Sequence, residues 1–288
     1  MKCFYHSADL DGHCSGAIIK LHHRDDCEMW PIDYHYPFPW NQINPGEAVY
    51  MVDFYLEPFD EMIRLSELCD LVWIDHHKSA IEEYNKRLPN IYIRGLREID
   101  IGAAALVWKY VYLEEPLPVP VRLVAEYDVW NLSDPNTLAF QYGARLHSTD
   151  PSCGDGLLFW DKLLFPDRAM EPDGFLGTVV DDGWKCVAYQ ERLDAKYCKN
   201  VFIVTFEGLR CVALNAPYCN SKTFEAVWSA DRYDAMLAFY MIGPDRWKVS
   251  MFTTRDDHDL SRIAKKYGGG GHQKAAGFIC NKLPFMDV

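Results

Sequence analysis

What this 288-residue chain has least of is positive charge: 29 Lys plus Arg stand against 42 Asp plus Glu, a formal net charge of −13. Proteins that grip long nucleic acid draw most of their affinity from a basic surface that neutralises phosphates, and that footprint is missing here. An anionic substrate would therefore be small and held locally, by metal ions and a few donors. Acidity that merely aids solubility is the competing reading. None of the ten cysteines forms a Cys-x-x-Cys pair, which removes the usual signature of a zinc ribbon or a thioredoxin-type site. Several lie in apolar runs and read as small core residues. No uncharged apolar stretch approaches the roughly 18–20 residues needed to span a bilayer, and no basic-then-apolar segment precedes the first strand. The expected setting is the cytoplasm, with no membrane partner. Internal repeats and low-complexity tracts are absent as well.

What is present is enough for two domains. Hydrophobic residues make up 49% of the chain, so a substantial core is expected at this length. The first half alternates strand-like and helix-like stretches. Lys2–Tyr5, Glu28–Tyr34, Ala48–Val52, Leu71–Ile74 and Ile91–Ile93 read as strands. Gly12–His22, Pro58–Leu68, Ala80–Lys86 and Ile101–Leu113 read as helices. Such βα alternation argues for a mainly parallel sheet with helices on both faces. A break at Asp150-Pro151-Ser152 is followed by a mostly helical stretch, Gly156–Tyr197, with turns at Pro166 and Pro172. Beyond it Val201–Phe206, Arg210–Leu214, Ala235–Met241 and Trp247–Phe252 read as strands and Leu260–Tyr267 as a helix. The expected organisation is therefore an α/β domain over residues 1–150, a helical linker over 151–197, and a smaller α/β domain with a mixed sheet over 198–288.

The chemistry-bearing residues gather at strand ends, where open α/β sheets bind ligands. Asp75-His76-His77 follows the apolar run Leu71-Val72-Trp73-Ile74. His6-Ser7-Ala8-Asp9-Leu10-Asp11-Gly12 follows the first strand, Asp53 closes another, and Asp128 lies in Glu126-Tyr127-Asp128-Val129-Trp130. A single member of this set is most often a helix cap or a surface charge. Four separate segments offering hard oxygen or imidazole ligands are what a two-metal site needs. Asp9 and Asp11 can point at neighbouring ions, with His6 completing the first. Asp53 can bridge both, and His76 and Asp128 complete the second. Mixed His/carboxylate ligation suits Mn²⁺, and two ions about 3.5–4 Å apart activate water for phosphoryl displacement. Asp53, His76, His77 and Asp75 are thus the candidate catalytic residues. Adjacent strand residues point to opposite sides, so Asp75 is expected to orient an imidazole, while His77 contacts phosphate, assists proton transfer, or is simply a bonded core histidine.

A second candidate group is the run Gly268-Gly269-Gly270-Gly271-His272. Four glycines usually make a flexible linker, but apolar Ile263-Ala264 before it and Ala275-Ala276-Gly277-Phe278 after it place this run inside folded structure. Glycines let backbone N–H groups approach an anion closely. Gly269, Gly270, Gly271 and His272 are therefore candidate phosphate ligands, with Arg255 a further one unless it is only a solvated surface arginine. Aromatic residues make up 14% of the chain, and nothing in the sequence singles out one that stacks on a base.

Taken together, Asp9-x-Asp11, Asp53, Asp75-His76-His77 and Asp128 resemble the N-terminal motifs of the DHH phosphoesterase superfamily. Gly268–His272 with Ala275-Ala276-Gly277 resembles the signature of the accompanying DHHA1 domain. The resemblance spans nearly the whole chain and is weakest in the middle helical segment. It implies a two-manganese phosphodiesterase, with His6, Asp9 and Asp53 on one ion and Asp11, Asp53, His76 and Asp128 on the other. Relatives of this size include nano-RNases acting on very short RNA, enzymes acting on linear or cyclic dinucleotides, and phosphatases of adenosine bisphosphate. Hydrolysis of short linear oligonucleotides, above all 5′-phosphorylated dinucleotides, is the leading expectation. A nucleotide-binding regulator is the non-enzymatic alternative, and a homodimer is left open. The pattern departs in two places: His6-Ser7-Ala8-Asp9 follows the His-x-x-Asp-x-Asp-Gly branch, and Arg255 comes later than the arginine of many relatives.

Overall fold

A computed structural model describes residues 1–34, 36–168 and 174–286, so the turn expected at Pro172 lies outside the described residues. The chain divides into two compact units, Met1–Val187 and Ala188–Val288.

The first unit is built on four parallel strands, β1 (Lys2–His6), β2 (Glu28–Ile32), β3 (Ala48–Val52) and β4 (Asp70–Ile74), in the order β2-β1-β3-β4. β1, β3 and β4 are nearly continuous in apolar residues because both of their faces are covered, whereas β2, at the sheet edge, leaves Glu28 and Pro31 exposed. Cys3, Tyr5, Val52, Val72 and Ile74 enter one core, and Phe4, Val49, Met51, Leu71 and Trp73 enter the other. That division is the two-residue alternation of a strand made visible. The first core is closed by α1 (Leu10–His23), α4 (Ala103–Val111), α5 (Val119–Asp128), α6 (Thr137–Ala144), α7 (Gly154–Leu164) and the start of α8 (Phe175–Tyr197). The second is closed by α2 (Asp60–Leu68) and α3 (Lys78–Arg87). Helices thus lie on both faces, as the βα alternation requires.

Two expectations change. Ile91–Ile93 is not a strand: the chain there makes only isolated bridges from Arg94 to Val72 and from Arg97 to Asp75. Gly95 stands between them at φ +124°, where a Cβ would lie 1.9 Å from the Trp73 carbonyl oxygen, so the approach to β4 breaks regular pairing. The segment expected as a helical linker also behaves differently over its first part. Phe159, Trp160, Leu163 and Leu164 belong to the first unit's core, and the division between units falls within α8, after Val187.

The second unit carries a six-stranded mixed sheet in the order β5-β6-β7-β8-β10-β9. Its members are β5 (Phe202–Phe206), β6 (Leu209–Asn215), β7 (Ala235–Gly243), β8 (Arg246–Phe252), β9 (Gly270–Gly271) and β10 (Ala275–Cys280). Only β6 and β7 pair in parallel. The helix α9 (Leu260–Lys266) buries Leu260 and Ala264 against Phe206, Leu237, Met251 and Phe278.

Candidate metal centre

Strand order decides where a site can form. From β1 the chain moves outward to β2, then returns to the other side of β1 for β3 and β4. The carboxyl ends of β1 and β3 therefore flank a topological switch point, where crossover segments part and leave a crevice. His6 ends β1, Asp53 follows β3, and Asp75-His76-His77 follows β4.

Each donor is held by local structure. Asp9 is the N-cap of α1 and accepts a hydrogen bond from the Gly12 amide at 3.0 Å. Asp11, 2% exposed, lies in the first turn of α1 and accepts bonds from the Ala103 and Ala104 amides at 2.6 and 2.9 Å. These are the first amides of α4, whose N-cap Gly102 has no capping side chain. Asp11 thus satisfies the orphan donors of a distant helix, and the positive end of that helix supports its charge. Asp53 is 2% exposed and adopts φ +55°, a left-handed conformation uncommon outside glycine and found at strained functional positions. Asp128 closes the last turn of α5.

The side chains converge. Asp53 stands between two imidazoles, with one carboxylate oxygen 3.6 Å from His6 Nδ1 and the other 3.3 Å from His76 Nε2. His6 Nδ1 is also 3.2 Å from Asp9, while His76 Nε2 is 3.1 Å from Asp128 and 4.0 Å from Asp11. His6, Asp9 and Asp53 make one trio able to hold a cation, and Asp11, His76 and Asp128 make another. Asp53, His76 and His77 make a third that joins them.

The electrostatics describe a place short of positive charge. Burial, and then the Asp53 and Asp128 carboxylates, push Asp11 well above the carboxylate range. Burial, with Asp53 and Asp9 adding to it, pushes Asp128 up to about 7. Burial alone would lower both imidazoles, but the carboxylates against them prevail, holding His6 at about 10 and His76 at about 11. His6 Nδ1 is buried without a well-formed hydrogen bond. Two imidazoles and four carboxylates with one such orphaned nitrogen fit divalent cation binding, which would relieve the repulsion and complete the donors.

Asp75 is fully buried, and its Oδ1 receives the His76 amide at 2.8 Å, the His77 amide at 3.3 Å and His77 Nδ1 at 2.6 Å. The imidazole it orients is therefore that of His77. Burial would lower the pKa of His77, but the Asp75 carboxylate raises it.

Two supports escaped the sequence reading. The ring of His13 links the Ser7 carbonyl at 3.1 Å to the Thr149 hydroxyl at 2.9 Å, fixing the loop between β1 and α1. Tyr5 donates its hydroxyl proton to Asp150, beside Thr149. Histidine next to the Asp11-Gly12 pair was a visible signal, but Thr149 and Asp150 carried none, because 136 residues separate the partners.

In the second unit Gly270 and Gly271 form β9, an exposed edge strand paired with Gly277 and Ala276. Gly268 and Gly271 have φ of +75° and +131°, and the His272 amide is bonded to the Ala275 carbonyl at 2.7 Å. The run is a hairpin arm with its outer edge unpaired in the sheet, and Gly269 backs onto Gly277. Arg255 is engaged: Nε and Nη2 bond to Asp257 at 2.9 and 2.5 Å, and Nη1 to the Ala230 carbonyl at 2.9 Å. To hold a phosphate it would have to exchange these partners.

No family model matches the chain. Its sequence is similar to two curated proteins. An uncharacterised protein, R106, of Acanthamoeba polyphaga mimivirus is 25% identical over 94% of this chain and 61% of its own length. Oligoribonuclease NrnB of Bacillus subtilis is 25% identical over 96% of this chain and 72% of its own length. The chain thus spans less than two thirds of the mimivirus protein. In fold it is similar to the pGpG-specific phosphodiesterase PggH of Vibrio cholerae, with a TM-score of 0.55 at 12% identity over 97% of this chain and 92% of that one. In sequence the chain is thus similar to an oligoribonuclease and in fold to a phosphodiesterase, and both likenesses agree with the resemblance of its motifs to those of the DHH/DHHA1 phosphoesterases.

Proposed function

We propose that the chain is a metal-dependent phosphodiesterase that hydrolyses short linear oligonucleotides, above all 5′-phosphorylated dinucleotides, to mononucleotides. The observation that carries this reading is the pair of donor trios that meet at Asp53. The sequence similarity to an oligoribonuclease supports it, and so does the −13 charge, which disfavours a grip on long strands.

Divalent ions, Mn²⁺ by the donor mix, would be held by His6, Asp9 and Asp53 and by Asp11, Asp53, His76 and Asp128, and would supply Lewis-acid polarisation and a more acidic water. The remaining work belongs to the chain. Asp53 sets the spacing of the two trios by offering one oxygen to each. Asp11 pins the loop after β1 to the start of α4, so that the donors do not rearrange as substrate enters. Asp75 holds the Nδ1 proton of His77 and raises the basicity of its ring, which leaves Nε2 to deliver a proton to the departing ribose oxygen. Gly269, Gly270, Gly271 and His272 take a substrate phosphate, and Arg255 does so only after leaving Asp257.

The test is a panel of linear dinucleotides, cyclic dinucleotides, longer oligomers and adenosine bisphosphate, incubated with Mn²⁺ and resolved chromatographically. The reading expects linear dinucleotides to be cleaved fastest. Preferred opening of cyclic dinucleotides, or preferred removal of the 3′-phosphate from the bisphosphate, would reassign the substrate. Tight nucleotide binding without turnover would mark a regulator.

A further inference from the structure

We propose that Tyr34 is the surface on which a nucleobase of the substrate stacks. The proposal rests on the phosphodiesterase reading above and names a residue that the sequence could not select among so many aromatics.

Placement comes first. β2 lies beside β1 with Ile32 level with His6, so Tyr34, two residues further on, emerges at the same carboxyl edge as the donor trios. Its ring meets the His6 ring edge-on, with centroids 5.7 Å apart and planes at 67°. From the other side of β1, Phe54 follows Asp53 and stacks on Tyr34 at 4.3 Å and 28°. Tyr55 closes a further edge at 5.7 Å. Phe54 and Tyr55 are buried, at 4% and 9% exposure, whereas Tyr34 is 41% exposed.

An aromatic ring buttressed by a second ring and left two-fifths exposed beside buried charges has a specific capability. The stacking partner holds its plane, so little conformational freedom is lost when another π-system is laid against it. Base–aromatic stacking tolerates any sequence, because every base has a π-face. A nucleotide whose phosphate reaches the trios carries its base one ribose away, on the scale of the separation between the His6 and Tyr34 rings. Of the other exposed aromatics in this unit, Tyr36 and Tyr92 are 76% and 78% exposed. Trp130 packs on Tyr127 at 5.3 Å, and Trp184, 44% exposed, donates its indole N–H to Asn136 Oδ1 at 3.2 Å. Among these five, Tyr34 is the one in ring contact with a donor of the trios.

The test uses the full chain with Mn²⁺ and two substrates, a 5′-phosphorylated dinucleotide and its analogue with one base removed. Tyr34→Ala should lower kcat/KM on the base-bearing substrate roughly ten- to a hundredfold, chiefly through KM. On the analogue lacking the stacked base it should change little. Tyr34→Phe should restore the wild-type rate, Tyr34→Leu should not, and Tyr92→Ala should match wild type. A 2-aminopurine dinucleotide, bound under non-turnover conditions without Mn²⁺, should lose part of its fluorescence quenching in Tyr34→Ala. Equal losses on base-bearing and abasic substrates, or no loss on either, would overturn the stacking role while leaving the phosphodiesterase reading intact. Wild-type protein that cleaves no dinucleotide at all would overturn both.

Discussion

The donor cluster of the first unit and the glycine hairpin of the second make opposite kinds of site. In the cluster Asp11, Asp53, Asp75 and His76 are at most 6% exposed and press like charges together. In the hairpin Gly270, Gly271 and His272 are exposed, and the glycines offer only backbone. Buried carboxylates that repel one another demand a counter-charge, so the cluster is poorly explained unless something cationic visits it. An exposed edge strand of glycines asks for nothing. The first region therefore states its chemistry by what its burial would otherwise cost, whereas the second needs a ligand in view before its purpose can be read.

The comparison breaks most readily at Asp53. Asp53→Ala should lower kcat by roughly 10³-fold or more, because the first trio loses a member and His76 of the second loses the carboxylate that joins it to the first. His272→Ala should cost roughly ten- to a hundredfold in kcat/KM, the scale of one hydrogen bond to a charged group. Steady-state kinetics on a dinucleotide with excess Mn²⁺ compares the two. Equal losses would mean that the cluster and the hairpin contribute alike.

Asp75→Asn sharpens the picture within the cluster, because it removes a charge that touches no ion in the proposed ligand sets. A fall of roughly 10²-fold in kcat is expected, the usual scale of one general acid. Asp75 raises the His77 pKa, so its loss should move the alkaline limb of the kcat–pH profile to lower pH. Mn²⁺ stoichiometry should not change. An unmoved profile would remove His77 from proton transfer.

Metal binding itself should be proton-linked. With His6 held at about 10, His76 at about 11 and Asp128 at about 7, both imidazoles and part of the Asp128 population carry protons at neutral pH that ligation must displace. The folded-state imidazole values are raised, so the protonated forms prevail below them and Mn²⁺ affinity should climb as pH rises from 6 towards 9. Calorimetry in two buffers of different ionisation enthalpy should show at least one proton released per chain. Buffer-independent heats would contradict the charge-starved cluster.

The smallest effect belongs to the hairpin. A Cβ on Gly269 would lie 2.1 Å from the Gly277 carbonyl oxygen, whereas one on Gly270 meets nothing within 4 Å. Gly269→Ala should destabilise the protein by about 1–3 kcal/mol and Gly270→Ala by less than about 1 kcal/mol. Urea denaturation separates them. Equal midpoints would show that the hairpin is not packed as described.

Legibility in the sequence followed range. Strand runs such as Ala48–Val52 and donors placed next to them were readable, because a strand end and a following carboxylate are local facts. Leu71–Ile74 announced a strand by apolar continuity, but Ile91–Ile93 did so falsely, since periodicity does not register the close approach that Gly95 imposes. The partner of Asp75 turned on whether one ring or its neighbour folds back onto the carboxylate, which sequence leaves open. Capping of α4 by Asp11 spans 92 residues, the His13–Thr149 link is longer still, and neither has a sequence pattern. Arg255 read as an available cation because the bond to Asp257, two residues away, depends on loop shape rather than composition.

The central claim is that two ions share Asp53, and manganese stoichiometry by equilibrium dialysis tests it most directly. Wild type should bind two Mn²⁺ per chain, Asp128→Asn should keep the ion on His6, Asp9 and Asp53, and Asp53→Asn should retain neither tightly. Two tightly held ions in Asp53→Asn, or one or none in wild type, would contradict the account.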